Sequence, residues 1–232
     1  MLAAPSSSPR QRRQGFPPTD VFKNHHTAAR VALAALAAAT LAMLTLHVAQ
    51  RTLNPFEEPV SYYVHGHHGW LLNLALECFG AAAVAIAFAR RGSAKESAGW
   101  SLIVFGACMM VAGVVPSDRW FPWEAPATVS GLVHAAVSVF GPPVLLIPMF
   151  NDLRRAACRW RRIKVLCIVA YAIGLLGSAF ALVMGFALDG PPPFIGLSER
   201  VLALSGVSWL AVAAIDKDLM PMWAGLRIWG RP

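Results

Sequence analysis

The chain of 232 residues is 56% hydrophobic and only 14% charged, with mean hydropathy +0.53, against about 25% charged residues in an ordinary soluble domain. Its apolar residues come in long uncharged blocks, which suit lipid on all sides and exclude a soluble core built from amphipathic stripes. The net charge of +8 is the kind that can signal nucleic acid, but the basic residues fall between the apolar blocks instead of on one face, which excludes that partner.

Residues 1–25 are rich in Pro, Ser and Arg and read as a disordered tail. The first predicted span, 31–50, contains no Lys, Arg, Asp or Glu. It is longer than a signal-peptide core of about 7–15 residues, and no small-x-small cleavage site follows it. Spans of about 20 apolar residues are then predicted at 68–89, 98–115, 127–150, 165–188 and 195–215. The fourth carries Pro142-Pro143 and is expected to kink there. The sixth is interrupted by Glu199 and Arg200. The expected fold class is therefore an all-α integral membrane bundle of six transmembrane helices. It occupies residues 26–218, with 219–232 as a short cytoplasmic, interfacial tail.

Charge gives the orientation. With both termini inside, seventeen Lys and Arg residues fall on the cytoplasmic side, and only Arg51, Arg119 and Arg200 fall outside. The positive-inside rule is then obeyed at every alternation. Trp70, Trp100, Trp120, Trp123, Trp160, Trp223 and Trp229 fall near predicted span ends, where indoles settle at the headgroups. Gly99, Gly106 and Gly113 on the third span, and Gly174, Ser178, Ala181 and Gly185 on the fifth, form stripes that let helices approach closely. Cys78, Cys108 and Cys167 lie in spans and Cys158 on the cytoplasmic side, without a CxxC pair, so unpaired thiols are expected.

Ionisable groups inside a membrane each cost about 2.5–3.5 kcal/mol on insertion scales, so each needs a reason. On the second span Gly69, Asn73, Glu77 and Gly80 share a face, with Glu77 about 14 Å below the outer end. A carboxyl there is expected to hold its proton. The fourth span presents Ala127, Ser130, Gly131, His134 and Ser138 on one face. Glu199 and Arg200 enter the same outer half, Asp118 follows the third span, and His47, His65, His67 and His68 cluster around the first outer loop. The inner half appears nearly uncharged by the same count. A polar pocket opening outward is therefore expected from Ser61, Glu77, Asp118, His134, Glu199 and Arg200.

Three chemistries fit such a cluster: ion pairs that only hold helix ends together, a pocket for small-molecule or proton-linked binding and transport, or a membrane hydrolase using a metal-activated water. The metal reading rests on the run His65-x-His67-His68, and no HExxH pair is present. A Ser61–His134–Asp118 triad lacks a GxSxG elbow but is not forbidden by chain order. Haem would need facing histidines deep in the bundle, and only His134 and His47 come near. No cofactor is named by the residues.

Several short motifs lie in a consistent order: Asn54-Pro55 and Ser61-Tyr62-Tyr63 after the first span, and Pro116-Ser117-Asp118 after the third. Gly131-Leu132-Val133-His134, Gly196-Leu197-Ser198-Glu199-Arg200 and Trp209 follow. In this the chain resembles the multi-pass membrane proteins called domain of unknown function 998. The resemblance implies a membrane protein of six or seven helices, found mainly in bacteria and archaea, with no activity assigned. It singles out Ser61, Asp118, His134, Glu199 and Arg200, and leaves Glu77 and the loop histidines outside its pattern. The expectation is thus a bacterial inner (cytoplasmic) membrane protein whose partner is the lipid bilayer.

Overall fold

A computed structural model describes residues 19–90, 96–119, 121, 124–154, 158–190 and 192–226. Six helices follow one another: α1 Thr19–Ala49, α2 Trp70–Ala89, α3 Glu96–Val114, α4 Val129–Leu153, α5 Cys158–Leu188 and α6 Ile195–Leu226. A short 3-10 helix, Val60–His65, lies between α1 and α2. No strand occurs among the described residues. That follows from the medium: a helix satisfies its own backbone groups, and an open sheet edge in hydrocarbon cannot. Thr40 and Thr45 do the same for their hydroxyls by donating to the Leu36 and Leu41 carbonyls, each at 2.8 Å.

Five helices are long and apolar enough to cross a membrane, and the apolar part of α3, Ala98–Val114, is shorter. All six expected spans are helical, with edges close to those read from the hydropathy. Three run further than expected: α1 begins at Thr19, α5 begins at Cys158 and α6 continues to Leu226. Leu44, Phe140, Leu176, Phe180 and Leu204 face outward around the bundle. Water would not tolerate such a belt, and lipid does.

Each helix packs on its neighbours in sequence, and α1 meets α6 to close the ring, with α2 also touching α6. Phe79, Phe105, Leu145, Met149, Tyr171 and Trp209 fill the centre. Close approaches are made by small residues. A Cβ on Gly80 would stand 2.5 Å from the Gly106 carbonyl oxygen, and one on Gly174 2.7 Å from the Leu202 amide nitrogen. Gly113 presses on Asn73 and Glu77, whereas Gly99 has open space, so only part of the expected third-span stripe packs. Among pairs adjacent in the chain, α4 and α5 touch least.

At the end opposite the 3-10 helix, Lys164 of α5 is fully buried. Its Nζ lies 2.8 Å from the carboxylates of both Asp152 (α4) and Asp216 (α6). Arg90, just past α2, stands 3.4 Å from Asp152 and 5.4 Å over the Trp209 ring. The expectation of a nearly uncharged inner half is corrected here. These groups sit at span ends that composition assigns to connections, and folding draws them together beneath the core. Cys78, Cys108 and Cys167 are free thiols. The side chains of Cys158, Trp120, Trp123, Trp223 and Trp229, and most of the N-terminal tail, lie outside the described residues.

Candidate functional site

A cavity of about 420 Å³ opens at the end of the bundle that carries the 3-10 helix, within the roughly 300–1,000 Å³ range usual for ligand sites. Its rim is built by three chain segments. The 3-10 helix contributes Ser61 and Tyr62, the α3–α4 connection contributes Ser117 and Asp118, and the start of α6 contributes Glu199. His134 and Ser138 of α4 and Ser178 of α5 stand on the wall.

Local chemistry fixes each of these. Thr128 caps α4, its Oγ1 accepting from the Gly131 amide at 3.0 Å. Asp118 holds that cap in place by accepting from the Thr128 hydroxyl at 2.6 Å and the Thr128 amide at 2.9 Å. The Thr128 hydroxyl and amide, in that order, hold the Asp118 carboxyl below the usual carboxylate range, and His65 and His134 add to the effect. Gly131 is required here because a Cβ would collide with the Asp118 carboxylate.

His134 is buried, and its Nδ1 lies 2.8 Å from the Val115 carbonyl. A carbonyl only accepts, so Nδ1 carries a proton there, and Nε2 is the ring nitrogen left for another partner. Glu199 accepts from the Val60 amide at 2.6 Å, tying α6 to the 3-10 helix. The Ser61 carbonyl accepts from Ser117 Oγ at 3.3 Å, which joins the two loops.

Arg200 turns the other way. Its Nε donates to His47 Nε2 at 2.9 Å, its Nη1 to the carbonyls of Glu58 and Gly196, and its Nη2 to the Tyr63 hydroxyl. His47 in turn donates from Nδ1 to the Met43 carbonyl at 2.8 Å. Gln50 completes this side by donating to the carbonyls of Tyr63 and His67. Glu77 stands apart as well: it lies against Gly113 in the α2–α3 seam, and its Oε1 is buried without a hydrogen-bond partner.

Of the six expected pocket residues, Ser61, Asp118, His134 and Glu199 therefore share one cavity, and Glu77 and Arg200 do not line it. Tyr62 was missed. Its hydroxyl is buried without a partner, as is that of Ser178. Burial, reinforced by Glu124, Glu199 and Glu58, pushes the Tyr62 phenol well above its ordinary range. The Ser61-Tyr62-Tyr63 run marked this loop, but nothing in it says that the two tyrosines face opposite ways.

The arrangement limits the chemistry. Ser61, His134 and Asp118 line the same cavity, yet His134 Nδ1 is taken by Val115 and the Asp118 carboxylate is held by Thr128. The orienting bond of a hydrolytic triad is thus not made. Among the described residues no three His, Cys, Asp or Glu side chains stand together as a metal-ligand set. His65 acts on Asp118 only through its charge, while the His67 and His68 rings lie 6.4 Å apart and tilted by 55°.

A family model described as protein of unknown function (DUF998) matches residues 32–216, most of the chain, and the chain belongs to that family. No curated protein and no solved structure matches it.

Proposed function

We propose that this member of the DUF998 family is a six-span protein of the bacterial cytoplasmic membrane, with both termini inside, that binds a small molecule in a pocket opening to the outer face, as the binding step of capture or transport. The orientation is supported by the seventeen-to-three distribution of Lys and Arg between the two sides. The third span, α3, is short in apolar length, and the alternation of charge supports its crossing.

The observation that carries the pocket is the pairing of a cavity with two orphaned hydroxyls, Tyr62 and Ser178, that border it. A buried polar group without a partner costs about 1–3 kcal/mol, and a fold with no use for it would be expected to replace it with Phe or Ala. Asp118, His134, Glu199 and Ser61 then supply the remaining polar contacts, while Arg200 holds the rim from behind.

The test uses a cysteine-free background. Ser61→Cys and Ser138→Cys should react with a membrane-impermeant thiol reagent from outside intact cells, and Arg154→Cys only after lysis. Labelling of Arg154→Cys from outside would overturn the orientation. Failure of Ser138→Cys to react in purified, folded protein would overturn the open pocket.

A further inference from the structure

The cavity's wall and its rim differ in chemistry. Below the rim, Leu76, Phe79, Phe105, Met109, Leu175 and Leu182 line it. A polar solute seated there would leave its own groups unpaired. Hydrocarbon would not.

The wall is also open sideways. Leu132 and Val139 of α4 and Phe186 of α5 line the cavity, and yet they are 58%, 45% and 60% exposed. Such exposure marks a wall that no further helix covers, and α4 and α5, which carry these three side chains, are the chain neighbours that touch least. The belt around that gap is apolar, with Phe140 and Phe180 facing outward on the same two helices. The gap therefore opens on lipid.

Depth and volume fit a chain. Phe186 and Tyr171 both line the cavity, and they are about 22 Å apart along α5 at the helical rise of 1.5 Å per residue. That exceeds one leaflet's share of the roughly 30 Å hydrocarbon core. Tyr171 closes the bottom, its hydroxyl donating to the Pro142 carbonyl at 2.9 Å. The volume of about 420 Å³ lies near the small end of the ligand range, which favours one chain over two.

The rim sets the headgroup. It offers acceptors: the Asp118 carboxylate, Glu199 and the unpartnered Tyr62 oxygen, with the His134 ring beside them. Glu58 and Glu124 add negative charge around Tyr62. Arg200 spends its guanidinium on His47, Tyr63 and two carbonyls behind the rim. An anion would meet carboxylates there, and a cationic donor would meet partners.

We propose that the cavity takes up the single hydrocarbon chain of an outer-leaflet amphiphile, entering between α4 and α5, with its ammonium group seated among Tyr62, Asp118, His134 and Glu199. This rests on the reading of the cavity as an outward-facing binding pocket.

Native mass spectrometry of the full chain in an uncharged detergent tests it with three probes: lysophosphatidylethanolamine, lysophosphatidylglycerol of the same chain length, and tailless glycerophosphoethanolamine. The ethanolamine lysolipid should bind at least about tenfold tighter than the other two, a difference of about 1.4 kcal/mol. Val139→Trp, or Ala179→Trp should the first fail to fold, should plug the gap and remove at least tenfold of that affinity. Equal binding of the two lysolipids would overturn the ammonium assignment. Equal binding of the tailless probe, unaffected by either plug, would overturn the chain and the lateral entry while leaving the pocket standing. No retention of any probe by folded wild-type protein would overturn the pocket reading as well.

Discussion

Single side chains at the rim separate into those that hold the fold and those that do not. Arg200 belongs to the first kind, since its fork reaches four partners and its plane lies 5.5 Å over the Tyr63 ring. Lysine keeps the charge and loses the fork, so Arg200→Lys should cost about 1–3 kcal/mol of stability, read as a lowered Tm in detergent. Tyr62 belongs to the second. Removing an orphaned hydroxyl leaves nothing unpaired, so Tyr62→Phe should keep or raise the Tm while weakening ligand retention. A fall in Tm would instead place Tyr62 in the scaffold. Asp118 makes stability depend on acid. Its pKa is held below the ordinary carboxylate range, so its contribution is present above that range and is lost as pH falls through the depressed value. The Tm should drop on acidification, and Asp118→Asn should flatten that limb. For Tyr62 the sign reverses: its raised pKa means that stability present below about pH 10 is lost as pH rises further. Four of the six expected pocket residues could be found from depth and chain order alone. Glu199 and Arg200 are neighbours on one helix, and depth says nothing about which way each side chain points.

Helix seams behave as the small-residue spacing suggests, with exceptions that depend on facing partners. Gly106 meets rigid neighbours, because a Cβ there would stand 2.7 Å from both the Gly80 carbonyl oxygen and Val84 Cγ2. Gly106→Ala should therefore destabilise by about 1–3 kcal/mol through forced separation of α2 and α3, measured by thermal unfolding, and Gly99→Ala should be silent. That contrast was not legible in the sequence, where both glycines occupy the same seven-residue stripe. What distinguishes them is the partner helix: Gly106 faces another glycine and Gly99 faces open space. On α5, Ser178 shares a stripe with the packing residue Gly174, yet it borders the cavity. The helices themselves were legible, because apolar length is a one-dimensional property, although Glu199 and Arg200 interrupt it in α6. The thin contact between α4 and α5, where Pro142, Pro143 and Pro148 all fall inside α4, is a property of two helices together.

At the scale of the whole molecule the two ends of the bundle are built differently: one is hollow and rimmed with acceptors, the other sealed by charge around Lys164. Polar residues at the hollow end drew notice in the sequence because Glu199 and Arg200 interrupt a predicted span. Those at the sealed end did not, because Arg90, Asp152, Lys164 and Asp216 sit where spans become connections, and nothing in composition says that a lysine there folds inward to full burial. Lys164→Met would leave two carboxylates facing each other without their shared cation, and should cost about 3–5 kcal/mol, the range for breaking a buried ion pair from one side; equilibrium unfolding would read it. This seal also bears on the order of synthesis. Lys164 lies near the start of α5, and one of its two carboxylates, Asp216, lies past the middle of α6. Until the ribosome has delivered α6, the nascent chain carries a lysine whose other carboxylate among the described residues, Asp152, is shared with Arg90. Chains stopped just short of Asp216 should be cleared from the membrane faster than chains stopped just beyond it, which pulse-chase half-lives would measure, so that one ion pair reports whether synthesis has passed the middle of α6.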